Sequence, residues 1–229
     1  QQAEAKAEAA GDHYNAGWRA HQEGYVHYLR EQADTALACA NRAAAYWETA
    51  KASARERAFA IRLRGLTQRL KKDYPAAIAA NREALELHRT LSAESVDVAT
   101  ALNDIAAIEY LSGDLDAAER DYREALRVAG ATGYAEGVAV YTGNLVGVAL
   151  DRKDWPTAET LAREALSLSE KVGRQELIAV DCERLALALV RQGKPTEALP
   201  YARRAVEILT RLGSPRVENA RATLRESES

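Results

Sequence analysis

Residues 99–130 run ATALNDIAAIEYLSGDLDAAERDYREALRVAG, and this stretch decides the fold. Leu102, Ile105 and Ala106 fall at positions i, i+3 and i+4, so they share one face of a predicted first helix. Glu109 continues that face at i+7 and interrupts its apolar character. The pattern therefore predicts an amphipathic helix with one acidic residue inside its apolar stripe.

A tight turn and a second helix follow this first helix. Gly113 can adopt the left-handed conformation that ends a helix, and Asp114 can cap the amides that open the next one. Ala118, Tyr122 and Ala125 then lie along one face of the second helix. Because small residues at a crossing let two helix backbones approach closely, the stretch predicts a helical hairpin.

Two series of alanines repeat this hairpin along the chain. The first series advances in steps of 41, 41, 40 and 40 residues and consists of Ala36, Ala77, Ala118, Ala158 and Ala198. The second series has the same four steps and consists of Ala43, Ala84, Ala125, Ala165 and Ala205. Two series that change step at the same place indicate a true internal repeat. An aspartate also stands four residues before the first series, at Asp73, Asp114 and Asp154.

Prolines recur beside the same turn. Pro75, Pro156 and Pro195 stand near the first turn of a second helix, where a missing amide costs little. Pro200 lies deeper in its helix, so we expect it to remove a hydrogen bond and to bend the helix.

The spacing of small and apolar residues resembles the tetratricopeptide repeat in its longer form of about 40 residues, as found in kinesin light chain-like and bacterial signalling proteins. The positions that carry the resemblance are Leu102, Ile105, Ala106, Gly113, Ala118, Tyr122 and Ala125. It covers roughly residues 17–216. The resemblance implies an all-α fold, a right-handed tetratricopeptide-like α-solenoid of about five helix pairs plus a C-terminal capping helix.

The expected organisation is a single solenoid domain over residues 1–229. Its predicted units are about 17–57, 58–97, 98–137, 138–177 and 178–216, with a cap over 217–229. The polar residues 1–10 are expected to face solvent. The sequence lacks methionine and begins with Gln1, which indicates a piece excised from a larger protein.

Composition favours a soluble, cytoplasmic protein that binds no membrane. The net charge of −3 gives no general reason to bind nucleic acid or an anionic membrane. The longest apolar run, residues 185–190, is far shorter than the ~20 residues of a membrane-spanning helix. Cys39 and Cys182 lie far apart in the sequence, and we expect both to be buried and unpaired.

Patterns that carry catalysis or metal binding are missing from the sequence. The four histidines show no HExxH or paired metal spacing, and two isolated cysteines cannot build a zinc site. Gly130, Gly133 and Gly137 fall in a turn between predicted helices, so they do not form a phosphate-binding loop. We therefore expect no enzyme activity, no catalytic residues, no cofactor and no metal.

The expected binding surface is the concave wall formed by the first helix of each unit. The resemblance implies that repeat positions 2, 5, 6, 9 and 12 line this wall. Carried onto this sequence, those positions select Trp18, His21, Tyr25, Tyr28, Arg62, Arg69, Asn103, Tyr110, Asn144, Glu183 and Arg184.

Two subsets of these residues have specific interpretations. Longer tetratricopeptide forms often use asparagine at the positions of Asn103 and Asn144 to hold a peptide backbone through the amide donor and acceptor. The alternative is that both are plain solvated residues. One helix face is shared by Trp18, His21, Tyr25 and Tyr28. These residues fit either an aromatic platform for a partner or a contact with a preceding domain.

Charged residues leave further alternatives open. The basic stretch RLRGLTQRLKK, residues 62–72, fits a solvated helix face first, a grip on an acidic peptide second and an RNA contact last. Glu23 and Arg64 occupy apolar positions of their units, and each precedes a glycine. Either both charges reach solvent through a small helix rotation, or they form an ion pair between neighbouring units.

Three functions remain as hypotheses. Two opening segments together resemble the C-terminal tetratricopeptide sensors of bacterial STAND-type NTPases. They are GWRAHQEGYVHYLREQADTALACANRAAAYWE from residue 17 and ERAFAIRLRGLTQRLKKDYPAAIAA from residue 56. That resemblance implies a protein- or peptide-binding sensor in a multidomain signalling protein with an upstream nucleotide-switch domain. The alternatives are a passive assembly adaptor and an RNA-binding helical solenoid, with nucleic acid the least favoured partner.

Overall fold

The computed structural model describes residues 2–228, and that part of the chain contains twelve α-helices and no strand. No helix within it is both long and apolar enough to cross a membrane. The helices are α1 (Gln2–Ala9), α2 (His13–Leu29), α3 (Ala33–Thr49), α4 (Ala54–Leu70), α5 (Tyr74–Leu91), α6 (Val96–Ser112), α7 (Leu115–Ala131), α8 (Ala135–Asp151), α9 (Trp155–Val172), α10 (Gln175–Arg191), α11 (Pro195–Arg211) and α12 (Val217–Glu228).

The chain divides into two compact units. The first unit ends at Asp121 and the second begins at Tyr122, so the boundary lies inside α7. In the first unit α2 to α6 pack in consecutive pairs, and α4 also contacts α2 and α6. In the second unit α8 to α12 pack in the same order, and α10 also contacts α8 and α12. Contacts between neighbours and between alternate helices are those of stacked helical hairpins. The predicted tetratricopeptide-like, all-α class is therefore confirmed.

The alanine series explain why the hairpins close. All ten alanines of the two series have no exposed surface. An alanine at a helix crossing brings two backbones together without leaving a cavity, whereas a larger side chain would hold them apart. The periodicity in the sequence therefore corresponds to the contacts inside the hairpins.

The turns use the capping groups expected from the sequence. Gly113 ends α6 in the left-handed conformation with φ +90°. The side chains of Asp73, Asp114 and Asp154 each accept a hydrogen bond from a backbone N–H three residues later. These bonds satisfy amides that would otherwise lack a partner at the start of a helix. Pro75, Pro156 and Pro195 lie at the first helical positions, also as predicted.

The two ends of the chain differ from each other. The C-terminal capping helix is confirmed, since α12 packs against α10 and α11 and buries Ala220 completely. The expectation that residues 1–10 face solvent holds for exposed side chains such as Lys6 and Glu8, but it is wrong for Glu4. Glu4 is buried and its carboxylate accepts a 2.8 Å hydrogen bond from Arg42 Nε. A charge pair therefore fastens this polar helix to α3, which an apolar pattern could not reveal.

Both cysteines are buried and unpaired, as the sequence predicts. Burial raises the pKa of the Cys39 thiol and raises the pKa of Cys182 to about 11. Both therefore serve as small core residues. Pro200 lies inside α11, and the bend expected there stays a prediction.

Candidate partner-binding site

Trp18 and His21 belong to a packed ring cluster on α2. The Trp18 ring lies 5.3 Å from the ring of the fully buried Trp47 and 5.7 Å from that of Phe59. The His21 ring lies 5.8 Å from Trp47 and 5.9 Å from Phe59. Both predicted site residues are half-buried, so much of their surface is used inside the first unit.

Burial also sets the charge of His21. Loss of solvent, and after it the positive charge of Arg62, lowers the pKa of His21 to about 4. The imidazole is therefore neutral near pH 7. Of the predicted aromatic platform, Tyr25 is the member that faces solvent, with 41% of its surface exposed.

Tyr25 and Tyr28 form the outer part of this face. Their ring centroids lie 5.7 Å apart. Arg69 on α4 donates a hydrogen bond to the Tyr28 hydroxyl, and its guanidinium carbon lies 5.7 Å from the ring centroid. Burial raises the pKa of Tyr28. The structure thus brings three predicted site residues together across α2 and α4.

Arg62 reaches the next first helix along the chain. Its Nε donates a 2.5 Å hydrogen bond to Asp104 Oδ2 on α6, and Asp104 is buried. The negative charge of Asp104 raises the pKa of Arg62, so the guanidinium stays charged. Asp104 was missed by the sequence analysis, although it stands next to Asn103, which lies one repeat step of 41 residues after Arg62. Asn103 and Tyr110 are half-buried on the same helix.

The basic stretch of residues 62–72 is largely matched by acceptors inside the first unit. Arg64 Nη2 lies 3.1 Å from Glu83 Oε2, and Lys71 Nζ lies 2.5 Å from Asp34 Oδ1. Together with the bonds of Arg62 and Arg69, these pairs tie α4 to α2, α3, α5 and α6. Three of the five cations in this stretch therefore have a carboxylate partner, which neutralises part of its positive charge locally.

The ion pair considered between Glu23 and Arg64 is not formed among the described residues. Arg64 pairs with Glu83, and Glu23 Oε2 lies 3.1 Å from Arg42 Nη2. The glycines after both residues are buried because other helices approach there closely. A Cβ at Gly24 would lie 2.8 Å from Cys39 Cβ.

Glu23, His27 and Cys39 place potential metal-ligand atoms within 4.8 Å of one another. However, the Arg42 guanidinium lies 3.1 Å from Glu23 Oε2 and donates to Cys39 Sγ at 3.5 Å. A cation already neutralises this group, and burial raises the pKa of the thiol, which disfavours the thiolate that a metal needs. The cluster is therefore an ion-pair network that fastens α2 to α3.

The second unit contains a polar cleft between α8 and α10. It has a volume of about 160 Å³ and includes Asn144, Arg184, Glu176, Asp181 and Arg216 in its lining. Arg216 immediately precedes α12. Two predicted site residues, Asn144 and Arg184, therefore meet in one cleft, whereas Glu176, Asp181 and Arg216 were missed.

Gly143 makes room for the polar groups in this cleft. Arg184 Nη1 donates a 2.6 Å hydrogen bond to the Gly143 carbonyl, one repeat earlier in the chain. A Cβ at residue 143 would lie 3.0 Å from Asp181 Oδ1 and 3.3 Å from Arg184 Nη1. A side chain there would therefore crowd the pair, and glycine keeps the cleft open.

Two carboxyl groups of α10 are shielded from water. Burial raises the pKa of Asp181 to about 6, although Ser169 Oγ donates a 2.6 Å hydrogen bond to its Oδ2. Burial also raises the pKa of Glu183, a predicted site residue, whose Oε2 lies 3.8 Å from Arg216 Nη2. The cleft thus combines guanidinium donors, carboxyl acceptors and an amide that does both, a set suited to a peptide backbone and its polar side chains.

Comparison with known proteins agrees with this architecture. The family model described as tetratricopeptide repeat matches residues 56–131, 97–171 and 137–211, and together these segments cover more than half of the chain. No curated protein sequence matches the chain.

Solved structures resemble the chain in fold. A Signal Transduction ATPase with Numerous Domains from Pyrococcus horikoshii, which carries a tetratricopeptide repeat sensor, matches with a TM-score of 0.78 at 13% identity, over 95% of this chain and 34% of that one. Aspartyl phosphate phosphatase F from Bacillus subtilis gives 0.75 at 12% identity, over 98% and 62% of the two chains. The apo form of RapI gives 0.68 at 14%, over 93% and 70%. At these identities the likeness concerns the fold alone, and the family follows from the repeat match: this chain belongs to the tetratricopeptide repeat family.

Proposed function

We propose that this chain is the ligand-sensing, partner-binding domain of a larger cytoplasmic signalling protein with an upstream nucleotide-switch domain. Tetratricopeptide repeats are protein-interaction scaffolds. The first helix of each repeat would then contribute to the surface that binds a protein or peptide. The observation that carries it is the cleft between α8 and α10, where Asn144 and Arg184 converge beside Gly143.

The chemistry of that cleft favours an extended peptide. The Asn144 amide can donate to a peptide carbonyl and accept from a peptide N–H. Asp181 and Glu176 can accept from a basic or hydroxyl side chain, and Arg216 can donate to an acidic one. In the first unit, Tyr25 offers an exposed ring for an apolar residue of the same kind of partner.

Selection from a random twelve-residue peptide library displayed on phage tests the binding surface. Wild-type protein should enrich a peptide motif, and synthetic peptides carrying it should bind the Asn103→Ala/Asn144→Ala variant much more weakly in calorimetry. The matched control is Asn219→Ala, an exposed asparagine on α12. Equal affinity of the selected peptides for all three proteins would remove the asparagines from the surface.

The alternatives separate in the full-length parent protein. A sensor changes the rate of nucleotide hydrolysis when the selected peptide binds, whereas a passive adaptor binds it and leaves the rate unaltered. An RNA-binding solenoid would instead bind a random twenty-nucleotide single strand with steep salt dependence. The local pairing of residues 62–72 favours the peptide over RNA.

A further inference from the structure

A second cavity opens at the ends of three helices in the second unit. Its volume is about 440 Å³, and its lining includes Ala129, Val138, Leu168 and Val172 from α7, α8 and α9. Pockets of this size commonly hold small organic molecules. None of the residues that line it belongs to the polar cleft between α8 and α10, so it is a separate place on the molecule.

Gly130 of α7 lines this cavity and contributes no side chain to it. Gly130 stands twelve residues after an alanine of the first series. The equivalent position of the other four repeats is occupied by Glu48, Arg89, Glu170 and Thr210. Gly130 is helical, and the left-handed residue after α7 is Gly133, with φ +68°. A Cβ at residue 130 would meet no atom within 4 Å.

Neither of the usual structural reasons therefore requires a glycine here. Its backbone is accessible to any residue, and no neighbouring helix crowds it. Glycine also disfavours a helix relative to alanine. With glycine at residue 130, no side chain from this position of α7 lies over the cavity, whose lining includes Val138, Leu168 and Val172.

The rim of the cavity carries one unmatched positive charge. Glu136 lies at the rim, and its carboxylate pairs with Arg174 Nη1 at 2.5 Å. Lys171 also lines the cavity and is exposed. Within residues 2–228, no carboxylate forms an ion pair with the Lys171 ammonium group. The Lys171 ammonium group can therefore pair with the acidic group of a ligand whose apolar body lies in the cavity.

We propose that this cavity binds a small amphipathic organic anion, with its apolar body against Val138, Leu168 and Val172 and its acidic group beside Lys171. The site does not depend on the concave surface and adds a small-molecule input to a peptide-binding scaffold. A medium-chain carboxylate or an aryl sulfonate has the required chemistry.

The probe for this site is 1-anilinonaphthalene-8-sulfonate, titrated by fluorescence against the full chain. N-phenyl-1-naphthylamine, which has the same rings without the sulfonate, is the neutral control. Wild-type protein should bind the sulfonate at one site per chain and more tightly than the neutral compound. Absence of saturable sulfonate binding, or equal affinity for the two compounds, overturns the proposal.

Two variants locate the site. A Cβ at residue 130 meets no atom, so Gly130→Leu can add a side chain beside the cavity and should raise the Kd of the sulfonate by about tenfold or more. Thr210→Leu is the matched control, because it adds the same side chain at the same register on an exposed position. Circular dichroism and Tm establish that both variants fold. Unchanged affinity in folded Gly130→Leu, or equal loss in Thr210→Leu, contradicts the site.

The charge is tested with Lys171→Gln. This variant should weaken sulfonate binding by about fivefold, leave the neutral compound unaffected, and so remove the preference between them. Arg225→Gln, which removes an exposed cation on α12, is the control and should keep the preference.

Sedimentation of the wild-type protein, with and without the sulfonate, tests whether a second copy of the chain occupies the cavity. Dimers that dissociate on addition of the sulfonate would show a second copy in the cavity, and would overturn the proposal in favour of self-association.

Discussion

Trp47 and Ser169 occupy the same register of the repeat, eleven residues after an alanine of the first series, in the two different units. Both side chains are fully buried. Trp47 packs with the rings of Trp18 and His21, whereas Ser169 donates a hydrogen bond to the Asp181 carboxyl. The same position of the repeat is therefore filled by an apolar ring in one unit and by a polar contact in the other.

The difference extends to which ionisable groups are buried. Burial lowers the pKa of His21 and His88 in the first unit, so both bases are held neutral. Burial raises the pKa of Asp181 and Glu183 in the second unit, which favours their protonated forms. A repeat register thus determines that a residue is buried, while the chemistry of each unit determines how that burial responds to pH.

The largest effect should come from Trp47→Ala, which breaks the ring cluster. Removing a fully buried indole leaves a cavity and should lower the free energy of unfolding by about 3–5 kcal/mol. Because repeat units depend mainly on their neighbours, hydrogen exchange should accelerate first in α2 and α3. The matched change in the second unit is Leu209→Ala, which should accelerate exchange around α10 and α11 instead. Identical exchange patterns in both variants would contradict local stability.

The next largest effect is a loss of stability in acid through His21. The folded pKa of His21 is about 4, below its ordinary value of 6.5. Its stability contribution is therefore present above pH 6.5 and is lost as pH falls to 4, by up to about 3 kcal/mol. Urea unfolding at pH 7 and pH 4.5 should show a smaller acid loss in His21→Leu than in wild type. His27→Leu, on the same helix but outside the ring cluster, should retain the wild-type loss.

In the second unit, the titration of Asp181 should change the free energy of unfolding with pH in the direction opposite to that of His21. The folded Asp181 pKa of about 6 exceeds the ordinary 3.8, so its contribution is present below pH 4 and lost as pH rises through 6. Asp181→Asn keeps an acceptor for Ser169 and removes the buried charge. It should raise the free energy of unfolding by about 2–3 kcal/mol at pH 8 and leave it unchanged at pH 4. An equal gain at both pH values would contradict titration of this group.

The pKa shifts of other carboxyl groups also affect how the stability of each unit responds to acid. Burial raises the pKa of Glu109 in the first unit, which opposes the histidines. Hydrogen bonds from Lys194 and Arg163 lower the pKa of Glu159 in the second unit to about 2, so its contribution is lost only in stronger acid. Between pH 6.5 and 4, His21 and Asp181 both titrate and act with opposite sign, which is why the two substitutions are compared across this range.

Sequence periodicity predicted the parts of this structure that repeat. The alanine series marked ten fully buried positions, and the aspartates before the first series marked helix caps. Spacing could also have suggested three links between residues that lie within one residue of a full repeat step. They are Tyr28 to Arg69, Arg62 to Asp104 and Gly143 to Arg184, which are 41, 42 and 41 residues apart. These links follow from the repeat because stacked first helices bring equivalent turns together.

Other features depend on partners that periodicity does not show. Trp18 and His21 fall on the predicted concave face, yet rings from α3 and α4 cover much of their surface. Asp181 has a polar side chain but is buried, and Ser169 of α9 donates a hydrogen bond to its carboxyl group. Such burial is set by one side chain on a neighbouring helix, so it requires coordinates.

The smallest effect separates two glycines that the sequence alone cannot tell apart. A Cβ at Gly17 would overlap the Trp47 indole, whereas a Cβ at Gly130 meets open space. Gly130→Ala should therefore raise the free energy of unfolding by up to about 1 kcal/mol, because alanine favours the helix. Gly17→Ala should act with the opposite sign, since the ring cluster must move to admit a methyl group. Urea unfolding of both variants checks this, and a loss of stability in Gly130→Ala would mean that residue 130 needs glycine for its backbone and that the open cavity is incidental.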